Sequence, residues 1–171
     1  RSAPPCEPES NFRMAIDAGF NRLGILKKHI FRMKAETDIE KHAIEYEEKI
    51  TGILGVRPFD LIMLGMGEDG HTASLFPNTE ALEETQRSVV ANKVPQKSTV
   101  RMTMTYPIIN QAMNIVIYVT GRKKAGMVRR VFLSEKTPPF PVSRVGTKKN
   151  KALWVLDSDA CAPLIKSMKS R

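Results

Sequence analysis

Apolar positions along the chain alternate between the spacing typical of helices and the short runs typical of strands. Ser10 can cap a first helix that continues to about Leu23, because apolar residues recur on one face of that segment. Thr37 and Glu40 have the spacing of a capping box and predict a second helix to about Ile53. Three further helices are predicted at residues 106–112, 123–133 and 159–168.

Short apolar runs between these helices predict strands. The clearest is Ile115–Val119, in which β-branched residues predominate. A second run at residues 59–64 passes into a glycine-rich turn, after which residues 72–76 can open a short helix. The remaining predictions are strands at residues 30–33, 89–91, 100–104 and 152–156 and a loop at residues 137–141.

This alternation predicts an α/β fold of three layers, in which helices cover both faces of a mostly parallel, Rossmann-like sheet. With 171 residues, of which 42% are hydrophobic, the chain is long enough for one core. Neither an internal repeat nor a linker divides it. We therefore expect a single domain over residues 1–171.

The glycine-rich turn after residues 59–64 carries the side chains best suited to catalysis. Asp69 and His71 lie there among Gly65, Gly67 and Gly70. In open α/β folds the carboxyl ends of the strands border the ligand crevice. An imidazole exchanges protons near neutral pH, and a neighbouring helix N-terminus would favour its neutral form. His71 is therefore a candidate general base.

Several interpretations of this turn stay open. Asp69 can orient the imidazole, or it can cap the following turn, since aspartate is a preferred N-cap residue. The amides of Gly67 to His71, with Gly70 between them, can form a small anion-binding nest. The plainest alternative is an ordinary strand-to-helix turn that His71 caps. The glycines alone indicate no nucleotide site, because the downstream acid of a dinucleotide fingerprint and the Gly-Lys-Ser/Thr ending of a P-loop are missing.

The string GMGEDGHTASLFP at residues 65–77 closely resembles the signature of the 6-phosphogluconolactonases, a family related to the glucosamine-6-phosphate deaminases/isomerases. Four further segments resemble the family in the same order: PESNFRMA at residues 8–15, RMTMT with Pro107 and Asn110, TGRKKA at residues 120–125, and LWVLD at residues 153–157. The resemblance covers nearly the whole chain. It implies hydrolysis of 6-phosphogluconolactone to 6-phosphogluconate in the oxidative pentose phosphate pathway.

The resemblance also implies roles for particular residues. His71 would act as general base on water, with Asp69 orienting it, and the glycine-loop amides or a neighbouring cation would stabilise the oxyanion. Asn11 would line the site. Three cations would hold the phosphate of the sugar lactone: Arg101, Lys124 and Lys97. For each of them a solvated surface position or a structural ion pair is the alternative. Neither a metal nor a redox cofactor is required.

The chain also departs from the family pattern. Members carry a first βα unit with a Gly-Gly-Ser phosphate loop and an Asp-Glu-Arg triplet, of which Arg1 would be the arginine. We therefore expect a domain that lacks its first βα units, and an inactive phosphosugar-binding fragment is one alternative. Lys97 stands one position out of the family register. The other alternative, an amino-sugar-phosphate isomerase/deaminase, is disfavoured because residues 72–77 contain no acid.

Charge and cysteine content narrow the remaining classes of function. The net charge of +9 favours an anionic ligand, but the basic residues are spread out without interleaved aromatics, so we expect no nucleic-acid partner. Cys6 and Cys161 are too few and too distant for a disulfide framework or a zinc site. No run approaches the roughly 18–20 apolar residues of a membrane span. Cysteine usage and the resemblance favour a cytoplasmic location, and the oligomeric state stays open.

Overall fold

The computed structural model of the chain describes residues 1–134 and 140–169. Within these residues the strands are β1 (Ile62–Gly65), β2 (Val89–Val94), β3 (Thr99–Met104), β4 (Ile115–Val119) and β5 (Leu153–Leu156). The α-helices are α1 (Asn11–Asp17), α2 (Ile39–Leu54), α3 (Tyr106–Gln111), α4 (Ala125–Leu133) and α5 (Ser158–Lys169). None of the described helices has the length and apolar character needed to cross a membrane.

The described strands form two separate sheets. Strands β1, β4 and β5 pair in parallel in the order β1-β4-β5, whereas β2 and β3 form an antiparallel hairpin. Parallel pairing places Gly65, the last residue of β1, opposite Tyr118 near the end of β4. The segments that follow β1 and β4 therefore start side by side at one edge of the sheet, where α/β folds place their ligand crevices.

The main core lies on one face of the parallel sheet. Ile115, Ile117 and Val119 alternate along β4 onto this face and are almost fully buried with apolar residues of α3 and α4. On the opposite face Met63 and Leu153 are each 62% exposed, and both are Cα partners of Val116 in the ladder. The two faces of the same strands thus differ strongly in burial.

The β2–β3 hairpin also has two different faces. Val89 and Met102 lie on the face that packs against α2 and forms a second core. The opposite face carries Asn92 with its register partner Arg101, and Thr103 with its partner Val90, because directly opposed residues of an antiparallel pair share a face. This second face is the one relevant to the candidate site.

The predicted α/β class with a parallel sheet flanked by helices is confirmed, with corrections to individual elements. Residues 30–33 form no strand in the structure, because their backbone has no strand partner; their apolar character reflects packing, as Met33 contacts the second core. The Thr37 capping box is wrong. Helix α2 has Asp38 as its N-cap without a side-chain capping bond, and the Thr37 carbonyl contacts His42 Nδ1 at 2.6 Å.

The other predicted helices and strands differ from the structure mainly in where they begin and end. Ser10 caps α1 as predicted, with its hydroxyl accepting the Arg13 N–H at 3.3 Å, but the helix ends at Asp17, just before Gly19 at φ 110°. The strand predicted at residues 89–91 extends to Val94 and pairs with β3. Residues 137–139 of the predicted loop lie outside the described residues.

Candidate functional site

The segment after β1 is a tight turn and not the helix predicted at residues 72–76. Thr72 and Leu75 form an isolated bridge, and the Leu75 N–H donates to the Thr72 carbonyl at 2.8 Å. The buried Thr72 hydroxyl donates to the Gly65 carbonyl at 2.8 Å, which closes the turn onto the end of β1. Because no helix starts here, a helix dipole does not act on His71, and that part of the prediction is wrong.

Asp69 and His71 form a closely bonded pair in this turn. Nδ1 of His71 lies 2.5 Å from Oδ1 of Asp69, and the same oxygen accepts the His71 backbone N–H at 3.1 Å. Burial alone would raise the pKa of the Asp69 carboxyl. The hydrogen bonds and charge of His71 together lower this pKa by a larger amount, so it lies below its ordinary value. An ionised carboxylate can only accept, so Nδ1 carries a proton, and in the neutral ring Nε2 is the free base.

Two further residues fix the position of the imidazole. The ring stacks on Phe76, which is buried, with the ring centroids 4.0 Å apart and an interplanar angle of 19°. Gly67 lies directly beneath the pair, and a Cβ at this position would overlap both the His71 ring and the Asp69 carboxylate. Only glycine therefore allows the backbone to pass under the histidine–aspartate pair.

The amides of the turn are mostly used within it. The Gly67 N–H donates to the His71 carbonyl at 2.8 Å, and the Gly70 N–H donates to the Gly67 carbonyl at 3.1 Å. With the His71 N–H on Asp69, three amides of the predicted anion-binding nest are already engaged. Gly70 has φ +81°, and a Cβ there would lie 2.9 Å from Phe140. The two glycines shape the turn, and a direct contact of either with a ligand stays a prediction.

Arg101 on β3 has the electrostatics of an anion-binding residue. Its Nε is buried and has no hydrogen-bond partner among the described residues. Burial, followed by the positive charge of Arg1, lowers its pKa. The nearby Arg32 differs, because it is paired with the carboxylate of Glu36 at 2.7 and 2.9 Å. Among residues 1–134 and 140–169 no carboxylate pairs with Arg101, which favours an anionic ligand.

A cavity of about 240 Å³ lies between the N-terminal segment and the histidine turn, and neither Arg101 nor His71 lines it. Asn11, the first residue of α1, and Ser74, three residues after His71, both line it. Its other lining residues come from the N-terminal segment, the stretch before α2, and β3: Arg1, Ala3, Ser10, Phe12, Arg32, Met33 and Met102. Asn11 and Ser74 of the histidine turn thus share one cavity, and a contact of Asn11 with a ligand stays a prediction.

The two predicted lysines occupy different surroundings. Lys97 is exposed in the hairpin connection, whose neighbouring Gln96 donates to the Pro77 carbonyl at 3.2 Å, at the end of the histidine turn. Lys124 ends a 3₁₀ turn between β4 and α4, and its N–H donates to the Gly121 carbonyl at 3.0 Å. Within residues 1–134 and 140–169, no hydrogen bond or ion pair engages the Lys124 ammonium.

A larger open groove lies next to Lys124, because Arg122 and Ala125 on either side of this lysine line it. It measures about 840 Å³ and runs between α4 and α5, and none of the predicted site residues lines it. In the part of the chain that the structure describes, no three His, Cys, Asp or Glu side chains are grouped so as to hold a metal ion. We therefore assign the candidate site to the histidine turn, which carries the Asp69–His71 pair and is contacted at Ser74 by the hairpin that bears Arg101.

Three residues near the site were not identified from the sequence. Phe76 stacks on His71, and Asn92 and Thr103 contact the backbone of the turn. The available signal was weak: Asn92 and Thr103 are polar residues in strands that also contain Lys93 and Arg101, so the sequence alone did not distinguish buried polar residues from exposed ones.

The fold and the site together define an α/β protein with a histidine–aspartate pair at the carboxyl edge of a parallel sheet, in a turn that a hairpin bearing Arg101 contacts. Residues 1–154 match the family of glucosamine-6-phosphate isomerases/6-phosphogluconolactonase, and the chain belongs to that family.

Individual relatives agree with this assignment. The chain is 44% identical over 161 residues to a 6-phosphogluconolactonase of Chlamydia trachomatis, covering 94% of this chain and 62% of that protein. It is 30% identical over 164 residues to a human 6-phosphogluconolactonase, covering 94% of this chain and 64% of the relative. The crystal structure of 6-phosphogluconolactonase from Thermotoga maritima superposes with a TM-score of 0.75 at 26% identity, covering 92% of this chain and 69% of that one. The chain thus spans less than two thirds of the length of both sequence relatives.

Proposed function

We propose that the protein hydrolyses 6-phosphogluconolactone to 6-phosphogluconate in the oxidative pentose phosphate pathway. The observation that carries the proposal is the bond between Asp69 Oδ1 and His71 Nδ1 at 2.5 Å, which leaves Nε2 free to accept a proton. The names of the relatives supply the reaction. No metal or redox cofactor takes part, because lactone hydrolysis needs only a base, water and stabilisation of negative charge.

The reaction begins with proton transfer from water to Nε2 of His71. The resulting hydroxide attacks the lactone carbonyl carbon and forms a tetrahedral oxyanion. Collapse of this intermediate breaks the bond to the ring oxygen, which leaves as a hydroxyl by taking the proton back from His71. Asp69 stays ionised and stabilises the imidazolium formed in between.

The positive charge around Arg101 holds the substrate. Arg101 and Lys124 bind the phosphate, with Lys97 as a third contact, and Asn11 lines the sugar side of the cavity. Charge-assisted hydrogen bonds to phosphate are the strong class of such contacts. Because Gly67, Gly70 and His71 use their amides within the turn, we assign stabilisation of the oxyanion to a neighbouring cation.

The proposal also includes the cellular location of the protein and its partners. Cys6 and Cys161 are free thiols, which fits a reducing compartment, and the relatives named above are metabolic enzymes. We therefore propose a cytoplasmic location, with a phosphorylated sugar lactone as the partner and no nucleic-acid or membrane partner.

The test is the rate of 6-phosphogluconolactone hydrolysis above the spontaneous background, for the parent and for His71→Asn. Asparagine keeps much of the shape but cannot accept the proton, so we expect the rate to fall by about 100- to 10,000-fold. Near-parental turnover in the variant would remove His71 from the mechanism. A parent that binds 6-phosphogluconate without turnover would indicate a binding protein, and turnover of glucosamine 6-phosphate would indicate the isomerase/deaminase branch.

A further inference from the structure

The β2–β3 hairpin holds one residue of the histidine turn from two strands at once. The Ser74 N–H donates to the hydroxyl oxygen of Thr103 at 3.1 Å, and the Ser74 carbonyl accepts from Nδ2 of Asn92 at 2.8 Å. The register pairs Val90 with Thr103 and Asn92 with Arg101, so both contacts come from the same face of the hairpin. Both backbone polar groups of Ser74 are thus satisfied by hairpin side chains.

The two side chains are as buried as the apolar core. Asn92 and Thr103 are each 1% exposed, and burying an amide or a hydroxyl is costly unless it is hydrogen-bonded. The Thr103 hydroxyl and Nδ2 of Asn92 are bonded, whereas Oδ1 of Asn92 has no partner among the described residues. Asn92 Nδ2 also lies 3.0 Å from the Thr79 hydroxyl, which in turn donates to the Phe76 carbonyl at 2.8 Å. The network therefore reaches the backbone of the turn at Ser74 and at Phe76.

The same turn carries the imidazole stack. Ser74 lies between His71 and Phe76, whose rings are 4.0 Å apart. Ala73, the residue before Ser74, has φ +49°, a conformation that residues with a side chain seldom adopt. Such a backbone persists only where its surroundings hold it in place. Movement of Ser74 would consequently displace both members of the stack.

We propose that Asn92 and Thr103 are positioning residues that hold His71 in the orientation needed for proton transfer, acting through Ser74 and Phe76. The kinetic consequence rests on the lactonase function proposed above, whereas the orientation of the ring does not. Arg101 lies two residues before Thr103 on the same face, about 7 Å away along the strand. The hairpin therefore also sets the spacing between the candidate phosphate contact and the base.

The kinetic test uses Thr103→Val, which keeps the shape of the side chain and removes the acceptor. We expect kcat for 6-phosphogluconolactone to fall about 10- to 100-fold with KM within about threefold, because a misplaced base slows chemistry and leaves phosphate binding intact. Thr103→Ser keeps the hydroxyl and should restore kcat. The matched control is Thr105→Val, since Thr105 is 0% exposed and its hydroxyl donates to the Arg87 carbonyl, away from the turn.

A second readout does not need activity. The Cε1 signal of ¹³C-labelled His71, assigned with His71→Asn, should be one sharp line in the parent and in Thr105→Val. It should shift or broaden in Thr103→Val and in Asn92→Asp, whose carboxylate cannot donate to the Ser74 carbonyl. An unchanged ring signal in both hairpin variants would overturn the proposal, and so would a changed ring signal with parental kcat. A parent without lactonase activity would exclude the proposed function only. The ring signal would still test whether Asn92 and Thr103 position His71.

A third measurement uses the unaltered protein and so does not depend on the folding of any variant. The Ser74 amide lies in an irregular turn but donates to a buried hydroxyl, so its hydrogen exchange should be at least about 100-fold slower than in an unstructured chain. Exchange at the unprotected rate would show that the hairpin does not hold Ser74, and the proposal would fall.

Discussion

The turns after β1 and β4 start side by side at the same edge of the sheet, yet they are held very differently. The histidine turn is fixed by Asp69, by stacking on Phe76 and by the hairpin contacts to Ser74. The turn before Lys124 is anchored through its backbone, where the Gly121 N–H donates to the Asp157 carboxylate at 2.9 Å. The ammonium itself is left unengaged by the described residues.

This difference matches the proposed roles of His71 as a base and of Lys124 as a phosphate contact. A general base works only when its nitrogen is aimed at the reacting water, and a misplacement of about 1 Å can cost about 100-fold in rate. A lysine binds phosphate as a point charge on a flexible stem and tolerates several geometries. We infer that the turn with the fixed histidine side chain serves catalysis and that the turn before Lys124, whose ammonium the described residues leave unengaged, serves binding. Three substitutions or conditions test the contrast, in order of expected effect.

The largest effect is expected from Gly67→Ala. A Cβ at this position overlaps the His71 ring and the Asp69 carboxylate, so the pair must separate. We expect kcat/KM to fall by about 100-fold or more and the free energy of unfolding to fall by about 1–3 kcal/mol. Steady-state kinetics and chemical denaturation measure the two quantities. Gly65→Ala is the matched control, because the nearest atom to its Cβ is the Tyr118 carbonyl oxygen at 3.8 Å, and parental rates for Gly67→Ala would contradict the rigid pair.

An intermediate effect is expected from Lys124→Ala. Loss of one charge-assisted phosphate contact should raise KM, and the Kd for 6-phosphogluconate, by about 10- to 100-fold while kcat changes little. Calorimetric binding and initial rates measure both. Lys123→Ala removes the same charge from the adjacent exposed position and should leave KM unchanged. Equal Michaelis constants for Lys124→Ala and the parent would remove Lys124 from phosphate binding.

The smallest effect concerns pH. Because the folded pKa of Asp69 lies below its ordinary value of 3.8, the folded state favours the carboxylate, so its contribution to stability is complete above about pH 4 and is lost as the pH falls through the folded pKa. The difference in unfolding free energy between the parent and Asp69→Asn should therefore shrink as the pH falls below about 4. A difference that stays the same from about pH 4 down to about pH 2 would show that the Asp69 carboxylate makes no such contribution.

The sequence was informative where structure is local and uninformative where it depends on distant partners. The alternation of helices and strands and the strand Ile115–Val119 were predictable because they follow from local pattern. The antiparallel pairing of β2 with β3 was not, since strand direction depends on the 3₁₀ turn Pro95–Lys97. The helix at residues 72–76 failed because the Thr72 hydroxyl closes the turn onto the Gly65 carbonyl.

The candidate site follows the same rule. His71 and Asp69 were found because they are two residues apart in a distinctive string, and Arg101 because of its place in a family segment. The hairpin contacts of Asn92 and Thr103 were not found, because their common partner Ser74 is 18 and 29 residues away, respectively. A polar residue in a strand gives no sign of which distant backbone it will contact.

The tautomer of neutral His71 decides whether this histidine can act as the base. Nitrogen-15 spectra of the imidazole, recorded at a pH where the ring is neutral, distinguish a proton on Nδ1 from a proton on Nε2. We expect a proton on Nδ1 in the parent, held by the Asp69 carboxylate at 2.5 Å, with Nε2 as the free base, and a loss of this preference in Asp69→Asn. A parent in which neutral His71 carries its proton on Nε2 would exclude His71 as the base, because that nitrogen could not then accept a proton from water.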